Sequence, residues 1–334
     1  MKLKKFSLIL CLIMLASFTL MSCTKKNSEK NSETLTEMNI LLDWYPNAVH
    51  SFLYAAEEQG YFKEAGLKVN LITPAGTEDG IKLVATNKAD LAISYPKQVI
   101  LSRGEGIPVK SVGAIVRSSL NQLMVRKDSG VKTLKDLEGK KIGFPSFEID
   151  KETIKEMVKK AGGDPSKIDF VDVGYDLMAS MQTKRVDGII GGYINHEKIL
   201  LEKEGIELLT FNPVDYEIPN NYELVFIASD EALDKNKDNI EAFLKAAKKG
   251  YDYTVANPSK SLDLVLKIQN ESFPLEGDIE KQSLDILMPL MEDKSGSFLT
   301  QDEENWKNNI KWLKDKGLLK GTVNPKDVYS ELTN

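Results

Sequence analysis

Residues 41–54 read Leu-Leu-Asp-Trp-Tyr-Pro-Asn-Ala-Val-His-Ser-Phe-Leu-Tyr. Asp43, Trp44, Tyr45, Asn47 and His50 thus set a carboxylate, two aromatic rings, an amide and an imidazole close together in the chain. Aromatic faces take a flat ring by offset stacking, and carboxylates and amides satisfy a polar edge that is costly to bury unpaired. Bond-breaking chemistry has less to work with. The two cysteines, Cys11 and Cys23, lie at the start of the chain. A thiolate nucleophile, a disulfide framework and a thiolate metal site are therefore excluded from the rest. His50 and His196 are the only histidines, which excludes a histidine-rich metal centre. No Gly-x-Ser-x-Gly, P-loop or Gly-x-Gly-x-x-Gly motif occurs. The expectation is a binding protein without catalytic residues, cofactor or metal.

These side chains need a frame. Residues 38–43 predict a short apolar strand closed by an acid; Pro46 breaks it, and a helix restarts near Ala48. The cluster then falls on the loop at the carboxyl end of the first strand. Open α/β sheets bind ligands there, because strand ends and helix amino-termini converge. Helix and strand go on alternating: a helix over 51–59 ended by Gly60, a strand over 67–72, and a helix opening after Pro74 with Thr77 as its cap. A strand over 90–94, a helix from Tyr95 to Arg103 and a strand over 109–116 follow, which argues a parallel, layered sheet.

A strand over 120–126 leads into no helix. A second strand-helix series then runs to Leu209, with Pro145-Ser-Phe-Glu148 as a loop and Asp150 as the cap of a helix stopped by Gly162-Gly163. A strand over 222–228 returns to the first unit. The rest reads as helices over 238–256, 259–269, 278–291 and 303–316, with Trp306 and Trp312 as packing residues. The strands over 120–126 and 222–228 read as two crossings between lobes. Lobe one is expected at 38–122 plus 227–334, and lobe two at 123–226.

The 334 residues suffice for two lobes. Residues 1–22 hold three lysines and no acid, so removing them from the formal charge of −6 leaves −9. A pI near 5.3 argues against nucleic acid, which wants a basic stripe, and against capture of an anion by net field. Sulfonate binding would want arginines, and none lies in the first loop. Met1-Lys-Leu-Lys-Lys5 followed by an apolar run to Thr19 reads as a secretory signal over residues 1–22. Leu20-Met-Ser-Cys23 resembles the bacterial lipobox, in which Cys23 becomes the acylated amino-terminus. Residues 23–37 are polar and read as a mobile tether, reaching roughly 20 Å by random-coil scaling.

Asp43-Trp44-Tyr45-Pro46-Asn47-Ala-Val-His50, Gly60-Tyr61-Phe62-Lys63-Glu64-Ala-Gly66-Leu67, Ala89-Asp90, Leu137-x-Gly139-Lys-Lys-Ile-Gly143 and Gly191-Gly192-Tyr193-x-Asn195-x-Glu197 are further landmarks. Together they resemble the family of thiamine-pyrimidine-precursor binding proteins, which are related to the fungal pyrimidine-precursor synthases. The resemblance covers nearly all of residues 38–334. Its second and fourth elements are shared by many importer binding proteins; the first and last are more telling. It implies an α/β, two-lobed, type II periplasmic-binding-protein-like fold with two strand crossovers and a helical C-terminal part. It further implies the substrate-binding lipoprotein of an ABC importer, a monomer that is lipid-anchored on the extracytoplasmic face of the cell membrane and meets a permease. The implied ligand is N-formyl-4-amino-5-aminomethyl-2-methylpyrimidine or a close aminopyrimidine. Riboflavin, bound by a sister branch with a similar first loop, a sulfonate or another small solute stays open. The fungal synthases consume an internal histidine and use a cysteine cluster. This body has no cysteine, and no histidine near Tyr95-Pro96-Lys97, which argues against a synthase.

On that reading Glu197 accepts from the ligand's amino edge; otherwise it is an acid in a helix's first turn, favouring the dipole. Asn195 pairs with the ligand or caps the helix. Trp44, Tyr45, Tyr95 and Tyr193 are candidate stacking walls, Trp44 and Tyr193 foremost because both follow strands. Asn47 and His50 fix the ligand's other edge or cap the first helix, and Asp43 binds the ligand or orients its neighbours instead.

Overall fold

A computed structural model describes residues 35–76, 78–271 and 273–332. The expected leader, the lipidation at Cys23, most of the tether and the Thr77 cap lie outside the described residues. The strands are β1 (Thr36–Leu41), β2 (Leu67–Ile72), β3 (Leu91–Ser94), β4 (Val109–Val116), β5 (Leu123–Arg126), β6 (Lys141–Phe144), β7 (Asp169–Asp172), β8 (Gly188–Ile189), β9 (Leu208–Phe211) and β10 (Leu224–Ser229). They form two sheets, ordered β2-β1-β3-β10-β4 and β7-β6-β8-β5-β9. In each sheet the leading strands pair in parallel, as strand-helix units require. One antiparallel strand, β10 or β5, stitches in the remaining neighbours. Central strands such as β3 and β10 are buried along their whole length, whereas edge β2 alternates between buried and exposed positions.

Three details differ from the sequence expectations. β1 starts at Thr36, inside the expected tether, because its pairing with β2 continues through Thr36 and Glu37. β5 and β10 each lie within one sheet, so the chain crosses between sheets at residues 117–122 and 212–223, and the return to the first sheet is made by Leu224. Asp150 is not a cap: the helix Glu148–Lys160 starts before it, with Phe147 at the cap position, so Asp150 occupies the first turn and is buried.

The C-terminal helices back the first sheet. In Lys237–Ala256, the buried residues Ile240, Phe243, Leu244, Ala247, Gly250, Tyr251 and Thr254 recur at helical spacing, giving one apolar stripe. Gly250 lets this helix close on Ser51–Glu58, because a Cβ there would lie 2.2 Å from the Phe52 carbonyl oxygen. The helix Gly277–Met291 buries Ile279, Leu284, Leu287 and Met291, and on the same face Glu280 and Ser283. Those two polar residues on an inward stripe point to partners elsewhere. No helix among the described residues is long and apolar enough to cross a membrane.

Candidate functional site

A cleft lies where the carboxyl ends of the strands of both sheets meet, with about 1130 Å³ of empty space including the part open to solvent. The loop after β1 forms one wall. Pro46 ends the extended run, Asn47 accepts from the Val49 N–H at 3.1 Å, and a short 3-10 turn feeds the helix Ser51–Glu58. Asn47 therefore caps this turn while also lining the cleft. His50 is fully buried and does not line it. Its Nδ1 accepts from the Asn47 N–H at 3.2 Å, which puts its proton on Nε2, 3.0 Å from Asp43 Oδ1. Asp43 Oδ2 takes a long hydrogen bond from the Tyr95 hydroxyl at 3.4 Å. His50 thus orients Asp43, and Asp43 and Tyr95 reach the cleft.

Trp44 lines the cleft and meets Tyr175, carried by the second sheet, edge-on at 4.2 Å. Its buried Nε1 has no hydrogen-bond partner among the described residues. Tyr45 turns out of the cleft and stacks on Phe273 at 5.2 Å. On the opposite wall Tyr193 faces Tyr95, whose ring also tilts against Phe147 at 5.0 Å. Burial holds both hydroxyls well above the ordinary tyrosine pKa, with Asp43 and Glu223 adding to it, so both remain neutral donors.

Asn195 and Glu197 also line the cleft, and both are buried. Asn195 donates through Nδ2 to Ser283 Oγ at 2.8 Å, leaving its buried Oδ1 without a partner among the described residues. Glu197 Oε2 accepts from the Tyr193 N–H at 2.7 Å, and Oε1 lies 3.0 Å from His196 Nδ1. The other nitrogen of His196 is 2.8 Å from Glu280 Oε1, and Glu280 Oε2 accepts from the Ala48 N–H at 2.7 Å. Burial opposes charge on His196, but Glu197 and Glu280 outweigh it and push its pKa up to about 10. Glu197 is therefore neither a solvated acid nor a free one. Each oxygen still keeps a lone pair for a ligand donor.

The sequence reading gave no site role to Lys97, Gln98, Asn121, Asp150 or Glu223, all on the cleft wall. Glu223 Oε2 gathers the Ser119 hydroxyl and the N–H groups of Leu120 and Asn121, tying the two crossings together. Asn121 accepts from the Gly191 N–H at 2.7 Å and donates to Asp150 Oδ1 at 3.1 Å. Burial raises Asp150 to about 7 despite Lys97, and burial raises Glu223 as well. Burial lowers Lys97, partly offset by these two acids. One signal could have exposed Lys97: a lysine in a helix's first turn opposes the dipole and needs another reason to be there.

The cleft wall thus carries Asp43, Asp150, Glu197 and Glu223 against Lys97 and His196, with no arginine. No cluster able to hold a metal ion occurs among the described residues.

Comparison with known proteins gives a consistent picture. The family model described as NMT1/THI5 like matches residues 47–261. The chain is 40% identical to a formylaminopyrimidine-binding protein of Halalkalibacterium halodurans, across 99% of both chains. It is 28% identical to a 4-amino-5-hydroxymethyl-2-methylpyrimidine phosphate synthase of Saccharomyces cerevisiae, across 67% of this chain and 69% of that one. In fold it is similar to the ligand-binding component of an ABC-type import system from Staphylococcus aureus. That match has a TM-score of 0.66 at 18% identity, covering 89% of this chain and 97% of the other.

Proposed function

This chain belongs to the NMT1/THI5-like family, and from that premise we propose that it is the substrate-binding component of an ABC importer for a thiamine pyrimidine precursor. Its ligand is N-formyl-4-amino-5-aminomethyl-2-methylpyrimidine or a close aminopyrimidine. The observation that carries this reading is the cleft, with Trp44 on one wall, the loop bearing Tyr193, Asn195 and Glu197 on the other, and a lining rich in acids and free of arginine. Indole and phenol faces stack on the ring, while Glu197 and Asn195 Oδ1 accept from its exocyclic amine. The lipid on Cys23 and the polar tether leash a monomer to the extracytoplasmic face of the cell membrane, where it meets a permease. Lobe closure about the two crossings captures the ligand, and release to the permease follows reopening.

The reading is of a binding protein, not a synthase, although some relatives are named synthases. The body offers no cysteine, and the helix Pro96–Gly104 begins Pro-Lys-Gln without a histidine. Calorimetry of the mature protein with the formylaminopyrimidine, riboflavin and an alkanesulfonate tests it. Saturable one-to-one binding of the pyrimidine, recovered unchanged by mass spectrometry, is expected. Binding of flavin or sulfonate but no pyrimidine overturns the ligand, and a converted pyrimidine overturns the class.

A further inference from the structure

At the end of the cleft nearest the crossings, most of the polar groups have structural work. Glu223 is spent on the donors of residues 119–121, and one oxygen of Asp150 is spent on Asn121. Three groups are left over. The Lys97 ammonium has no hydrogen bond and no ion pair within 4 Å among the described residues; it rests 5.1 Å from the Trp312 ring, a contact that steadies the cation without fixing its N–H directions. Gln98 Nε2 is buried with no partner among the described residues. Asp150 Oδ2 likewise has none among them.

Lys97 and Gln98 are neighbours on the first turn of Pro96–Gly104, and Asp150 faces them from the first turn of Glu148–Lys160, close enough for its charge to act on Lys97. Leaving the Gln98 amide buried without a hydrogen bond costs stability, and Lys97 and Asp150 beside it keep unused hydrogen-bonding capacity, so the three groups on one cavity wall point to a ligand that completes them. Two donors beside one acceptor match a carbonyl oxygen with an adjoining N–H.

We propose that Lys97, Gln98 and Asp150 form an amide-reading subsite, in which Lys97 and Gln98 donate to a ligand carbonyl oxygen and Asp150 accepts from the adjoining N–H. This rests on the reading of the cleft as an aminopyrimidine site. It assigns the formamide arm of the ligand to this end and makes Lys97 the residue that discriminates. A free aminomethyl arm is an ammonium at neutral pH, offers no acceptor and meets Lys97 with like charge.

The test is calorimetry of the mature parent, Lys97→Met and Gln98→Leu with two ligands, the formylaminopyrimidine and its deformylated aminomethyl counterpart. The parent should prefer the formamide by at least about tenfold. Lys97→Met should weaken the formamide by about tenfold or more and leave the amine unchanged or tighter, so the preference shrinks or reverses. Gln98→Leu should weaken the formamide by about threefold to tenfold. Unfolding curves without ligand show whether each variant is folded, and an unfolded Lys97→Met leaves Gln98→Leu to decide. A parent that binds both ligands equally, or variants that lose both equally, overturns the subsite while leaving the importer reading intact. A parent that binds neither overturns both.

Discussion

His196 lies between Glu197 and Glu280, and all three are buried, so the imidazole is the group the two acids share. Replacing His196 with Gln leaves two buried acids without their shared cation, a change that costs about 3–5 kcal/mol. Urea unfolding should show that loss as a lower midpoint. The sign of the pH effect follows from the raised pKa. The imidazole titrates near 6.5 when unfolded and about 10 when folded, so its contribution is complete below 6.5 and disappears as pH rises through about 10. The parent should lose stability over that range with a slope that His196→Gln lacks; equal slopes would contradict the charged triad. Asp150 acts in the same direction at lower pH. Its pKa rises from 3.8 to about 7, so the folded state holds a proton that the unfolded state releases, and stability falls as pH climbs through that window. Asp150→Asn keeps an acceptor for Asn121 and removes a buried acid. Above pH 7 the unliganded variant should be about 1–2 kcal/mol more stable than the parent, and it should bind the formamide ligand less tightly. A less stable variant would mean that the attraction between Asp150 and Lys97 outweighs the cost of burying the acid.

At the scale of elements, the loop between β8 and the helix Glu197–Lys203 carries Tyr193, Asn195 and His196 and leads into Glu197. Gly191 sets its course, with φ of 95° and the site of a Cβ 2.5 Å from the Pro145 ring. Gly191→Ala meets strained backbone and a collision together, which costs at least about 1 kcal/mol. Because the loop holds one wall of the cleft, ligand affinity should fall more than global stability does. Unchanged affinity in a folded variant would show that the loop does not set the site. Strand and helix order was legible in the sequence, since apolar runs alternate with Gly and Pro punctuation at Gly60, Pro46 and Gly162-Gly163. The cleft loop was legible for the same reason, because a polar and aromatic cluster followed a strand end. What stayed hidden depends on distant pairing. Glu280 reads as an ordinary helix acid until His196, 84 residues away, is seen against it. Lys97 and Asp150 lie in first turns of separate helices, where a cap or a solvated charge is the ordinary reading, and only the fold brings them to one wall.

For the whole molecule, two sheets share one cleft and are joined at residues 117–122 and 212–223, with Glu223 fastening the first crossing to the start of β10. Trp44 reaches across from the first sheet to Tyr175 and the apolar cluster of the second, and Glu280 reaches across to His196. These two contacts join the sheets across the cleft. The most direct test is a crystal structure of the mature protein with the formylaminopyrimidine. The ring should lie in the cleft between Trp44 and the loop bearing Tyr193 and Glu197, its exocyclic amine within hydrogen-bond reach of a carboxylate and its formamide toward Lys97. A ligand bound outside this cleft, or a structure in which Trp44 and Glu197 do not face the same ring, would contradict the account.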